Sequence, residues 1–146
     1  MVYLICGSPC SGKSTYIKEH KKDGDIVCDI DRIYSAISLN EEHQTELYAQ
    51  EVASKMNEVL LDIVRDRDGH WKNAYVVSLA NTPEKVKAAM ERVNADEAVF
   101  IDTPFEVCME RAKERPFYFA FLIEEWFAEK TIGDNDVESR SNEEQT

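Results

Sequence analysis

Gly7-Ser8-Pro9-Cys10-Ser11-Gly12-Lys13-Ser14-Thr15 fits the pattern G-x-x-x-x-G-K-[ST], and its flanks supply the setting that pattern needs. Each fixed position has a physical task. Gly7 and Gly12 allow backbone angles and close approaches that a side chain would block. The N–H groups of the loop, together with the N-terminus of the helix that follows, form a concave nest for phosphate oxygens. Lys13 is expected to bridge two phosphates and the Ser14 hydroxyl to ligate Mg²⁺. Upstream, Val2-Tyr3-Leu4-Ile5-Cys6 is nearly all apolar and ends at Gly7, as a strand buried on both faces would. Downstream, Ser14 to Lys21 reads as a helix stopped near Gly24. The expected ligand is ATP with Mg²⁺, cradled by Gly7, Ser8, Pro9, Cys10, Ser11, Gly12, Lys13, Ser14 and Thr15.

The remainder of the chain alternates strands with helices. Ile26-Val27-Cys28 is a short strand followed by Asp29-Ile30-Asp31. Glu41 to Arg67 reads as one long helix with an apolar stripe of Val52, Met56, Val59, Leu60, Ile63 and Val64. Ala74 to Leu79 is the third strand, and Thr82-Pro83 opens a helix with a cap and a proline at its first position. Glu97 to Ile101 is the fourth strand. Thr103-Pro104-Phe105-Glu106 then reads as a capping box, with its helix reaching about Glu114. Phe117 to Lys130 is a last, aromatic-rich helix. This alternation predicts an α/β fold of the three-layer P-loop NTPase kind, with a short parallel sheet of about four strands and helices on both faces. One domain is expected over residues 1–130, with residues 131–146 an acidic, disordered tail.

The bulk numbers limit the partners. The chain has 146 residues, 43% of them hydrophobic, enough for one core without disulfides. Cys6, Cys10, Cys28 and Cys108 form no Cys-x-x-Cys pair, so reduced structural thiols are expected. The net charge is −12, of which the tail carries −4 and the body −8. So acidic a body does not coat itself with nucleic acid, though a local basic pocket can still hold one phosphate or one strand end. No leader-like segment and no bilayer-length apolar run is present, which predicts a cytoplasmic protein that does not enter a membrane. His20, His43 and His70 have no partner at ligand spacing and are expected at the surface.

Taken together, Leu4 to Thr15, Cys28-Asp29-Ile30-Asp31-Arg32, Ile101-Asp102-Thr103-Pro104 and the pair Arg111/Arg115 resemble the small P-loop kinases. More narrowly, they resemble the kinase domain of phage polynucleotide 5′-hydroxyl kinase and its phage-encoded relatives. The resemblance spans roughly residues 1 to 116, and only the phosphate loop is specific by itself. It implies transfer of the ATP γ-phosphate to a hydroxyl acceptor. Asp31 matches the carboxylate that takes the acceptor's proton, and Arg111 and Arg115 match lid arginines that close on the phosphates. Two positions depart from the family. Tyr34 stands where an acceptor-side arginine belongs, and Leu79 where an aspartate ends the third strand. The phosphate-donor half is matched and the acceptor half is not, so a nucleic-acid 5′ end and a small hydroxylated molecule both remain candidates.

Other readings of the same residues stay open. Asp31 can cap a helix starting at Arg32. Asp29 competes with it as base, or joins Ser14 as a metal candidate. Arg111 and Arg115 sit among Glu106, Glu110, Lys113 and Glu114, as on a solvated charged helix, and Asp102 ends the fourth strand. A nucleotide-gated switch or assembly ATPase acting through a protein partner is the rival function. The aromatic helix carries more apolar surface than one face needs. That surplus packs on the sheet, meets the acceptor, or joins two copies in a homodimer.

Overall fold

A computed structural model describes residues 1–40, 46–132 and, for the backbone alone, 138–140. The chain runs β1 (Val2–Cys6), α1 (Lys13–His20), β2 (Ile26–Cys28), α2 (Ile30–Ser38), α3 (Leu47–Arg65) and β3 (Ala74–Ser78). It continues through α4 (Pro83–Val93), β4 (Glu97–Ile101), α5 (Phe105–Ala112), α6 (Phe119–Glu129) and β5 (Glu138–Arg140). Every strand pairing is parallel, in the order β2-β3-β1-β4-β5. β1 is therefore central, with Tyr3 level with Tyr75 on one side and Glu97 on the other.

Alternation along the strands divides the apolar residues between two layers. Ile5, Tyr75, Val99 and Ile101 meet Tyr16 and Ile17 of α1 on one face. Val2, Leu4, Cys6, Val76 and Phe100 meet Val64 of α3, Val86 and Val93 of α4 and Trp126 of α6 on the other. The result is the expected three-layer α/β arrangement. All four cysteines are free, and burial pushes the Cys6 and Cys28 thiols up to about 12.

Local features differ from the sequence pattern at several places. α3 starts at Leu47, after Glu46 in extended backbone, and residues 41–45, including His43, lie outside those described. Its inward stripe is Ala53, Leu60, Leu61 and Val64, whereas Val52, Met56 and Val59 are exposed. Both stripes obey a helical repeat, so periodicity alone does not choose between them. Residues 131–146 are not wholly without structure: Glu138–Arg140 pairs with Val99–Ile101. A free edge of β4 recruits backbone whatever the side chains, which is why polarity hides such a strand. Residues 133–137 and 141–146 lie outside the described set. In α6, Ile123 and Trp126 are buried and Phe121 is exposed, as is Phe117 ahead of the helix, while Tyr118, Phe119 and Leu122 line the cleft described below. His20 and His70 are exposed as expected. Among the described residues, no helix is long and apolar enough to cross a membrane.

The start of the sheet is tied by Asp25, a buried carboxylate. It accepts from the Lys22 N–H at 3.0 Å and from Asn73 N and Nδ2 at 3.1 Å. The Lys22 N–H above all, helped by Asn73, holds this carboxyl below the ordinary carboxylate range. A lowered native pKa means the stabilisation is complete above that range and is lost as pH falls through the native value. Asp25→Ala is therefore expected to cost about 1–3 kcal/mol near neutrality by leaving buried donors unpaired. Urea denaturation should show the gap from wild type narrowing in acid; a gap that does not depend on pH would contradict this account.

Candidate active site

β1, β2, β3 and β4 all end on the same side of the sheet, where ligands of open parallel sheets bind. A cleft of about 980 Å³ opens there, large for one ligand on the roughly 300–1,000 Å³ scale of such sites. Its walls bring together Lys13, Ser14, Thr15, Asp29, Asp31, Arg111 and Arg115, which lie far apart in sequence.

The loop from Gly7 to Gly12 is held in an unusual backbone. Cys10 has φ 63° and Gly12 φ 98°, both left-handed; the first is costly for a residue with a side chain. A Cβ on Gly7 would lie 2.5 Å from Ser11 Oγ and 3.3 Å from the Ile101 carbonyl, so a side chain here would force Ser11 to shift. Thr103, buried at the end of β4, donates through Oγ1 to the Ser11 carbonyl at 2.6 Å. α1 begins at Lys13 with no side-chain cap and no acid in its first turn, so its dipole and its first N–H groups face an incoming anion unopposed.

Lys13 Nζ donates to the Gly7 and Ser8 carbonyls, each at 2.8 Å. Burial lowers its pKa to about 8, with the neighbouring Asp29 carboxylate among the groups opposing the shift. Arg111 Nη1 donates to the Cys10 carbonyl at 3.1 Å, and Arg115 lies against the Cys10 side chain. α5 stops at Ala112, so Arg115 stands in the turn beyond it rather than on the same helix face. Both arginines nevertheless reach the loop. The Cys10 thiol is raised by burial, against the pull of Arg115 and Lys13, which keeps it protonated.

Asp29, not Asp31, caps α2: its Oδ1 accepts from the Asp31 N–H at 3.0 Å. The helix starts two residues earlier than a cap at Asp31 would allow. Asp29 is buried, with Arg32 Nε 3.8 Å from its Oδ2. Asp31 is exposed on the first turn of α2, at the cleft wall. Ser14 and Asp29 both line the cleft. Among the described residues no three His, Cys, Asp or Glu side chains converge as a metal cage. A hard divalent ion held by one or two protein oxygens, with the nucleotide phosphates supplying more, fits this donor set.

A family model described as an AAA domain (AAA_33) matches residues 2–124. The chain belongs to that family. No curated protein matches it. Solved structures share the fold at low identity. A Janibacter sugar kinase is 15% identical with TM-score 0.59, over 96% of this chain and 83% of that one. An Aquifex aeolicus shikimate kinase is 20% identical with TM-score 0.57, over 98% and 88%. A chain of the Pnkp1/Rnl/Hen1 RNA repair complex is 14% identical with TM-score 0.56, over 89% of this chain. That match spans only 46% of the repair protein's chain. The AAA_33 chain thus has the α/β P-loop fold of small kinases.

The sequence pattern misses four contributors. Thr103 reads as a helix cap, but α5 is preceded by Pro104 without a side-chain cap, and the Thr103 hydroxyl braces the phosphate loop instead. Gln50, Asn57 and Arg92 line the far wall. Asn57 was detectable in principle, as a polar residue on the inward stripe between Ala53 and Leu60. Of the two departures, Tyr34 is buried and its hydroxyl accepts from Asn40 Nδ2 at 3.4 Å. Leu79 lines the cleft while its carbonyl accepts from Trp126 Nε1 at 2.8 Å. Asp102 pairs with Lys130 at 3.9 Å. Gly7→Ala is expected to cost about 1–3 kcal/mol through overpacking against Ser11 and Ile101. An unchanged urea midpoint would show that the loop tolerates the added methyl.

Proposed function

We propose that the chain is an ATP-dependent phosphotransferase that moves the γ-phosphate to a hydroxyl acceptor. The observation that carries this reading is the cleft shared by Lys13 and Ser14, by Arg111 and Arg115 at the loop, and by Asp31 at the start of α2. The loop residues Gly7 to Thr15 cradle the β- and γ-phosphates through backbone N–H groups, and Lys13 exchanges its carbonyl partners for phosphate oxygens. Ser14 and Asp29 would hold Mg²⁺, which neutralises charge on the transferring group. Asp31 takes the acceptor's hydroxyl proton as its oxygen bonds to the γ-phosphorus. The bond to the β–γ bridging oxygen breaks and ADP leaves. Arg111 and Arg115 stabilise the charge that builds up during transfer. The candidate acceptors are a polynucleotide 5′-hydroxyl and small hydroxylated molecules, and the neighbours called sugar kinase and shikimate kinase keep the second class in view.

Transfer of label from γ-labelled ATP to an acceptor panel tests the reaction. Asp31→Asn is expected to lower kcat by about 10²–10⁴-fold with ATP binding retained, and Lys13→Ala to remove ATP binding. Bound ATP that is never transferred, and is hydrolysed only with a partner protein, would favour a switch instead.

A pH effect follows from Lys13. Phosphate raises the pKa of an ammonium that stands near 8 in the free protein, so binding above that pH takes up a proton. Nucleotide affinity should be level below pH 8 and fall by up to about tenfold per unit above it. Calorimetry in buffers of different ionisation heat reads the uptake; none above pH 8 would remove Lys13 from the phosphate contacts.

A further inference from the structure

The cleft continues past the phosphate loop, over the β3 ends, to a wall made by α3 and α4. Leu61, Ala89 and Val93 give this wall an apolar floor. Two polar atoms within it, Asn57 Oδ1 and Arg92 Nη1, are buried and have no hydrogen-bond partner. Leaving such atoms unpaired is costly, so native proteins commonly reserve them for a ligand or water. One is an acceptor and the other a donor, the two functions that hydroxyl groups of a ligand can satisfy.

Charge narrows the choice further. Arg92 Nη2 already holds Glu58 Oε2 and Asp62 Oδ1, each at 2.8 Å, and donates to the Glu58 carbonyl at 3.2 Å. Two carboxylates offset the guanidinium's charge, so Nη1 offers a directed donor without a net positive field. Asp29 and Asp31 also line the cleft, and the cations Lys13, Arg111 and Arg115 gather at the phosphate loop. An anionic acceptor would bring its charge toward carboxylates, with no uncompensated cation among the described residues of this wall to meet it.

We propose that the α3–α4 end of the cleft is the acceptor subsite and takes an uncharged polyhydroxylated molecule, a sugar or a nucleoside. Asn57 accepts from a hydroxyl of that molecule, and Arg92 Nη1 donates to it. This rests on the phosphotransferase reading above. The subsite orients a non-reacting hydroxyl while the reacting one is presented to Asp31.

The experiment measures label transfer from γ-labelled ATP to two acceptor sets, with ATP binding followed separately by calorimetry. One set holds neutral hexoses, pentoses and ribonucleosides. The other holds sugar phosphates, nucleoside monophosphates and 5′-hydroxyl oligonucleotides. Transfer confined to the neutral set is expected. Asn57→Leu should raise the acceptor KM at least tenfold while the KM for ATP stays unchanged. Arg92→Lys, which keeps a cation beside Glu58 and Asp62, should do the same if removal of Asn57 prevents folding. Label only on the anionic set would overturn the inference and leave the kinase reading intact. Acceptor KM values untouched by both substitutions would also overturn it. ATP binding without transfer to either set would remove the phosphotransferase reading and this subsite with it.

Discussion

Gly7 turns back so closely on Ser11 and Ile101 that any side chain there would displace Ser11, and the rest of the functional end of the sheet depends on that turn. The turn delivers the chain from β1 into α1 with Gly12 left-handed and the first helical N–H groups uncapped. From within, the loop is held by the Ser11 N–H on the Ser8 carbonyl and by Lys13 Nζ on the Gly7 and Ser8 carbonyls. It is stiffened from outside by the Thr103 hydroxyl on the Ser11 carbonyl and by Arg111 on the Cys10 carbonyl. Both braces come from the segment after β4. The loop and the segment after β4 are thus tied together, and the loop backbone is set in place before any ligand arrives.

Charge is distributed unevenly along the cleft. Lys13, Arg111 and Arg115 surround the loop, where burial lowers the Lys13 pKa to about 8. At the other end Arg92 is held by Glu58 and Asp62. On an acidic chain of net charge −12, this gives one end suited to polyphosphate and another suited to a neutral partner. In the phosphotransfer proposed above, a highly charged donor would meet an acceptor hydroxyl at the boundary between the two ends.

The two ends are also connected through α6. Trp126 Nε1 donates to the Leu79 carbonyl, and Asn81 Nδ2 donates to the Trp126 carbonyl at 2.9 Å. Those bonds fix the aromatic helix to the β3–α4 connection, so Tyr118, Phe119 and Leu122 wall the cleft beside the arginines. The apolar surface of that helix goes partly into the core and partly into the cleft, while Phe121 stays exposed.

Local chemistry made much of this legible in the amino-acid order. The phosphate loop, the four main strands and the alternation of layers follow from glycine placement and apolar runs, which act over a few residues. The roles of Asp31, Arg111 and Arg115 were implied by the resemblance to the small P-loop kinases, with Asp29 competing for the place of Asp31, and the fold brings all four to one cleft. Tertiary structure alone decided which of two helical stripes on α3 turns inward, since both satisfy the same repeat. It turned Thr103 from a helix cap into a brace for Ser11, because its hydroxyl found a buried carbonyl across the sheet end. It moved the cap of α2 to Asp29, paired Glu138–Arg140 with a free strand edge, and set Asn57 beside Arg92 in the cleft wall. Each of these outcomes rests on a partner distant in sequence, and no local pattern records which partner a side chain or an edge will meet.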